Sequence, residues 1–420
     1  MSDAVSAALS NNAVLKIASL EEQAACSRYK ETEAVFLPQV GVSYSAMSTN
    51  NPLNAFGFKL QQKTIQQADF DPAKLDHPGA TADFMSSLDV RQPLLNIDRL
   101  YQRKGAHAEM EMYRLKTRRT SEEIVFQTRK AYLQLQLANR SQKVMEDALA
   151  SAQALYRYIS DRVGQGMLSR SDALNVQVQV STTESRLAEA RTQVRNASDY
   201  LGLLIGRPSG LTYSIDSSAD DNTSPAAAAG TISEPGETTV PANRPDLAAM
   251  GKALEGADWM LRSSKMTALP RVNAFGSYQF NDSRMFGFGA SAYLVGVRLS
   301  WDLFRGNSIR NRNTTLSLEK QRLSAAFELY KKQSSLELNS TLRQLADARF
   351  RIGQQQAALA AATESYRILR DRYEEGLSGS TDILLAQTQL SQQRLALSQA
   401  VFDQQVTLAW LDFLTSTSAK

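Results

Sequence analysis

The feature that most restricts this chain is an internal repeat carried without a gap. Asp161-Arg162-Val163-Gly164-Gln165-Gly166-Met167-Leu168-Ser169-Arg170-Ser171-Asp172 matches Asp371-Arg372-Tyr373-Glu374-Glu375-Gly376-Leu377-Ser378-Gly379-Ser380-Thr381-Asp382 at an offset of 210 positions. The register continues through Leu174/Leu384, Gln177/Gln387, Leu187/Leu397, Ala190/Ala400, Leu201/Leu411 and Leu204/Leu414, and upstream through Gln134/Gln344 and Ala138/Ala348. An insertion in a helix rotates every later side chain off its buried face, so a gapless match of this length points to duplicated helices. A second pair of landmarks, Leu37-Pro38-Gln39-Val40 and Leu269-Pro270-Arg271-Val272, carries a different offset because the loops between differ in length.

The long segments read as helix. From 98 to 162 there is no proline and one glycine, Gly105; at 1.5 Å per residue that makes a rod of roughly 95 Å. Segments 171–206, 307–375 and 380–415 follow the same reading. Ile124, Ala131, Ala138, Met145, Ala152 and Ile159 recur every seven residues, as do Val180, Leu187, Val194 and Leu201. A seven-residue period is the pattern of helices packed knobs into holes, and the many alanines predict close approach. Thr183 and Gln404 interrupt the stripes.

Four shorter segments alternate with period two, at about 38–48, 84–95, 270–280 and 290–304. Val40, Val42, Tyr44 and Ala46 share one face, and Tyr293, Val295, Val297, Leu299 and Trp301 share another. The alternating run in each, about nine to eleven residues, suits a transmembrane β-strand, with aromatics toward the ends; a half-buried strand of a soluble sheet alternates in the same way. Four strands do not close a barrel, and backbone groups in lipid must all be paired. In a membrane, two or three copies would have to share one barrel. Pro38 and Pro270 mark the switch from helix to strand, because proline disfavours helix at the preceding residue.

The order is therefore a first repeat over 1–206, a connector over 207–245 and a second repeat over 246–420, each repeat running helix, strand, strand, long helix, long helix. The connector holds Asp-Asp-Asn-Thr-Ser-Pro, four alanines and Glu-Pro-Gly-Glu-Thr-Thr, a low-complexity composition. About 35 residues near 47–82 link the first two strands and include His77, expected at the surface.

Composition narrows the functions. One cysteine, Cys26, excludes an internal disulfide, and with only His77 and His107 beside it a Cys/His metal site is not expected. The 47 basic and 43 acidic residues are interspersed, which leaves no phosphate-binding stripe for nucleic acid. No nucleophile–base constellation or Gly-rich phosphate loop is present, so neither an enzyme nor a cofactor is expected. No run of about 18–20 apolar residues reads as a spanning helix. Met1-Ser2-Asp3 opens directly into an amphipathic pattern, so an exported form would have lost its leader. A soluble coiled-coil scaffold would explain the heptads but not the four alternating strands. A periplasmic adaptor protein would have one hairpin, whereas this chain repeats two.

Together the Leu-Pro-x-Val motifs, the duplicated order, the low-complexity waist and the turn motif Gly-x-x-x-x-x-Asp resemble the TolC family of outer-membrane efflux proteins over essentially the whole chain. The resemblance implies a homotrimer, mostly α with a small β part. Its antiparallel coiled-coil helices form an α-barrel across the periplasm, joined to a transmembrane β-barrel to which each protomer gives four strands. It implies a passive exit duct of a tripartite efflux or type I secretion system in the outer membrane of a Gram-negative bacterium. A periplasmic membrane-fusion adaptor and an inner-membrane pump of RND, ABC or MFS type would open it. By the same resemblance Gly166-Met167-Leu168-Ser169 and Gly376-Leu377-Ser378-Gly379 are adaptor-docking tips. Glycines there also end helices in a left-handed turn, and that reading stands beside docking. Asp172, Asp382, Tyr373, Arg162 and Arg372 fall at the periplasmic gate; helix capping is the alternative role for the two aspartates. The chain departs from the best-known pattern at Leu385, where that pattern has a second aspartate, and at Ser378, where it has an arginine. A doubled aspartate ring is therefore not expected, and Arg162, Arg170 and Arg372 are the cations that could replace the missing one.

Overall fold

The computed structural model describes residues 1–213 and 240–416; most of the 207–245 connector lies outside the described residues. In chain order the elements are α1 (Ser2–Asn11), α2 (Ala13–Glu31), β1 (Gln39–Thr49), α3 (Pro52–Gln61), α4 (Pro72–Asp76), β2 (Thr81–Leu95), α5 (Ile97–Gly164), α6 (Arg170–Leu204), α7 (Pro245–Met266), β3 (Arg271–Asp282), β4 (Ala290–Ser300), α8 (Ser308–Glu374) and α9 (Ser380–Thr415). The fold is mostly helical with one small antiparallel sheet. The chain divides into two compact units. One comprises Met1–Glu21, Tyr113–Ala249 and Ala326–Lys420, the other Glu22–Met112 and Met250–Ala325.

In the first unit the heptad positions form the core. Ile124, Ala131, Ala138, Met145, Ala152 and Ile159 are all 8% exposed or less. Ile124, Ala131, Leu135 and Ala138 of α5 pack with Val194, Leu201 and Leu204 of α6 and with Ala8 of α1. Farther along, Met145 packs with Leu187 and Ala190. The 210-residue register is visible in burial. Leu135 and Leu345 are both buried, as are Thr128 and Leu338, and Ala131 and Thr341. Each large apolar side chain so buried contributes on the order of 1.5–3 kcal/mol. Thr183, an interruption in the stripe, is buried because its hydroxyl donates to the Gln179 carbonyl at 2.8 Å.

The N-terminal helix is broken where the sequence pattern runs on. Asn12 separates α1 from α2: its side-chain oxygen accepts from the amide of Val14 at 2.9 Å, and its Nδ2 donates to the Leu204 carbonyl at 2.9 Å. A polar knot ties four helices of this unit. Arg244, 1% exposed, donates to Asp246 through Nε at 2.7 Å and Nη2 at 2.8 Å, and to Ser334 at 2.8 Å. The Tyr330 hydroxyl donates to Asp246 at 2.6 Å. Arg119 of α5 donates to Glu122 and to the Phe413 carbonyl, both at 2.9 Å.

In the second unit the strands form one sheet in the order β1-β2-β3-β4, antiparallel throughout. Pro38 and Pro270 stand one residue before β1 and β3. Alternation sorts the side chains by face. One face carries Val40, Val42, Tyr44, Phe84, Leu88, Tyr278, Tyr293, Val295 and Val297; the other carries Ser43, Asp83, Ser87, Asp89, Gln279, Asn281 and Arg298. The apolar face is bare: Val42 is 80% exposed and Val295 70%. Strand β4 ends at Ser300, short of the expected 304. Ser300 pairs with Arg271, the first residue of β3, so the ladder has no partner beyond it. Trp301 instead turns its indole N–H onto the Ala268 carbonyl at 2.9 Å.

The segment between β1 and β2 holds α3 and α4, and it is fastened to the sheet's polar face. Gln62 Nε2 donates to Asp83 Oδ1 at 2.9 Å, and Asn281 Nδ2 donates to Asp83 Oδ2 at 2.8 Å. Asp83 is fully buried by these contacts. His77 in this segment is exposed.

Candidate functional site at the helical turns

The two long hairpins turn at Gly166 and Gly376, with φ of +72° and +78°. The left-handed conformation lets the Met167 amide reach back to the Arg162 carbonyl at 2.9 Å, and the Leu377 amide to the Arg372 carbonyl at 2.8 Å. Among the described residues nothing beyond the chain neighbours lies within 4 Å of where either glycine's Cβ would stand, so backbone conformation alone asks for glycine. The turns present apolar side chains to solvent: Met167 is 66% exposed and Leu377 63%. Leu168 is half-buried, and Ser169 is exposed.

A small core lies under both turns. Ile159 of α5, Val176 of α6, Tyr373 of α8 and Ile383 of α9 are buried together. The rings of Tyr158 and Tyr373 meet at 5.8 Å, and the Arg162 guanidinium lies 4.8 Å from the Tyr158 ring centre. The Tyr373 hydroxyl has no hydrogen-bond partner among the described residues. Burial pushes its pKa above the ordinary phenol value, and the neighbouring Tyr158 and the Asp172 charge add to that, against Arg162.

The two aspartates sit differently. The cap of α6 is Ser169, whose hydroxyl oxygen accepts from the Ser171 amide at 3.2 Å. Asp172 accepts instead from the Ser380 hydroxyl of the other hairpin at 3.1 Å. Asp382 accepts from the Gly379 amide at 3.2 Å, which closes the start of its own helix α9. Arg372 donates to the Leu377 carbonyl of its own turn at 3.3 Å, and Ser378 donates to the Leu369 carbonyl at 3.2 Å. Asp172, Tyr373 and Arg162 thus gather on one core, whereas Asp382 and Arg372 each serve their own turn. Ser380 was not marked by its sequence, because the repeat aligns it with Arg170 and suggests no bond to Asp172.

Among the described residues no group of three or more His, Cys, Asp or Glu is placed to hold a metal ion. Among them, no helix is long and apolar enough to cross a membrane.

The sheet is a four-stranded meander with a bare apolar face, and the helical hairpins are duplicated and end in glycine turns. The model of the outer membrane efflux protein family matches residues 4–207 and 239–417, and the chain belongs to that family. Its fold is that of solved outer-membrane channels. CusC superposes with a TM-score of 0.80 at 17% identity, covering 99% of this chain and 92% of that one. A membrane protein from Pseudomonas aeruginosa superposes at 0.79 with 18% identity, covering 99% and 93%. The CmeC outer membrane channel of Campylobacter jejuni superposes at 0.80 with 15% identity, covering 99% and 85%. No curated protein sequence matches.

Proposed function

We propose that three copies of this chain form one passive exit duct, their sheets closing a twelve-stranded barrel in the outer membrane and their helices a tunnel in the periplasm. The carrying observation is the sheet. Among the described residues edge strands β1 and β4 each have one partner, and the face with Val42, Tyr293 and Val295 is exposed. In lipid an open edge leaves unpaired N–H and C=O groups, so strands of a neighbouring copy must complete the ladder. Exposed Leu329, Leu336 and Phe350 on α8 offer a further apolar surface for helix contact between copies.

On this reading the glycine turns form the periplasmic end. Threefold symmetry would set Asp172 in a ring of three carboxylates, with Tyr373 and Arg162 against it. The Ser380–Asp172 bond would lock the first hairpin to the second. The exposed Met167 and Leu377 suit docking of a periplasmic adaptor, which would open the end for an inner-membrane pump. Asp382 and Arg372 would keep the second turn in shape during that movement. The test is planar-bilayer conductance of Asp172→Asn and Ser380→Ala beside wild type. Higher conductance and weaker block by divalent cations in Asp172→Asn support the gate. Unchanged currents in both variants contradict it.

A further inference from the structure

A cleft of about 500 Å³ opens in the second unit where the strands meet the helices. Ile97, Leu100, Tyr101 and Lys104 line it from α5, at spacings that share one helix face. Tyr29, Phe36 and Trp259 of α7 also line it. One lining residue, Phe36, is hydrogen-bonded to the sheet. Gln92 lies two residues beyond Val90, on the same face, and its Nε2 donates to the Phe36 carbonyl at 3.1 Å. Trp301 and Phe304, also at the strand–helix end, are 58% and 79% exposed. Aromatics gathered at one end of an apolar strand face are what a membrane–water interface selects.

The charges decide the ligand. Lys104 Nζ lies 4.7 Å from the Trp259 ring centre and 5.6 Å from that of Tyr101. Arg103 lies over Tyr29 and Phe36 at 5.1 and 5.2 Å. The ring faces already hold the protein's own cations, so the cleft is no cage for a cationic ligand. Arg103 has Glu33 at 3.6 Å. Glu255 is held by Lys252 at 2.8 Å and by the Trp259 indole at 3.3 Å. Lys104 has no salt-bridge partner among the described residues, so of the two cations in the cleft it is the one not engaged by a carboxylate.

We propose that this cleft binds the phosphodiester headgroup of an anionic glycerophospholipid of the inner leaflet, with Lys104 on the phosphate and the acyl chains along the exposed strand face. The proposal rests on the duct reading, which puts that face in lipid. The test uses full-length oligomer in detergent, titrated with dioleoyl phosphatidylglycerol, dioleoyl phosphatidylcholine or inorganic phosphate and read by native mass spectrometry. Phosphatidylglycerol should bind in preference to phosphatidylcholine and resist competition by inorganic phosphate. One interfacial cation sets about a fivefold difference in affinity, so Lys104→Gln should weaken phosphatidylglycerol by that factor and Lys104→Arg should restore it. Equal binding of the two lipids, displacement by inorganic phosphate, or an unchanged Lys104→Gln overturns the site. Flotation of the same proteins with vesicles separates the two readings. Wild type that fails to float removes the duct. Wild type that floats but shows no headgroup preference removes only this site.

Discussion

Asp246→Asn should destabilise the first unit more than its single lost charge suggests. The carboxylate takes both arms of a guanidinium that is 1% exposed, at 2.7 and 2.8 Å, and a tyrosine hydroxyl at 2.6 Å. Removing one member of a buried ion pair costs about 3–5 kcal/mol, because the other charge stays buried and unmatched. Arg244 would keep Ser334 at 2.8 Å and the Leu414 carbonyl at 3.4 Å, which favours the lower end of that range. Unfolding entropy of about 2.1 cal/mol/K per residue converts the loss into a fall in Tm of roughly 3–5 °C for a chain this long. Far-UV circular dichroism of the detergent-solubilised protein at pH 7 reads it. The double variant Arg244→Met/Asp246→Leu should recover most of the loss, since an apolar pair needs no counter-charge.

The same carboxylate predicts a pH dependence. Burial raises the Asp246 pKa, but hydrogen bonds from Arg244 and Tyr330, with the charges of Arg119 and Arg244, hold it below the ordinary carboxylate value. A depressed folded-state pKa stabilises the fold above the unfolded value, about 3.9, and the contribution is lost as pH falls through the folded value. The gap between wild type and Asp246→Asn should therefore be constant near neutrality and close only below roughly pH 4. A variant that melts within about 1 °C of wild type at pH 7, or a gap that widens on acidification, would refute the reasoning.

Three further outcomes are expected. On the proposed duct, Val295→Lys puts a charge on the lipid-facing strand face and should cost about 2–4 kcal/mol, lowering its urea midpoint in vesicles, whereas Gln279→Lys on the polar face should leave that midpoint near wild type. Ile159→Ala removes a fully buried side chain from the core beneath the turns and should cost about 2–5 kcal/mol, read as faster proteolysis at 164–170. Gly166→Ala meets no atom within 4 Å but must hold φ at +72°, a cost of about 1 kcal/mol seen as faster amide exchange at Met167.

Much of the fold was legible because it is periodic. The heptad line from Ile124 to Ile159 is buried throughout, and the four alternating segments pair as strands within a few residues of their expected ends. What periodicity does not encode was missed. The break at Asn12 depends on one side chain capping α2 while bonding the far end of α6. The end of β4 is set by where its partner β3 begins, 29 residues before it in sequence. The Arg244–Asp246 knot joins residues from four helices and leaves no pattern in any of them. At the turns, the repeat made Asp172 and Asp382 look equivalent. They differ because Ser380 and Arg170 occupy matching positions with unlike chemistry, so only Asp172 is bonded across the two hairpins.

The most direct test of the duct is planar-bilayer conductance of detergent-extracted protein, measured on the fraction whose oligomer mass has been determined. Three chains per particle and discrete channel openings are predicted. A monomer that is soluble without detergent and silent in the bilayer would contradict it.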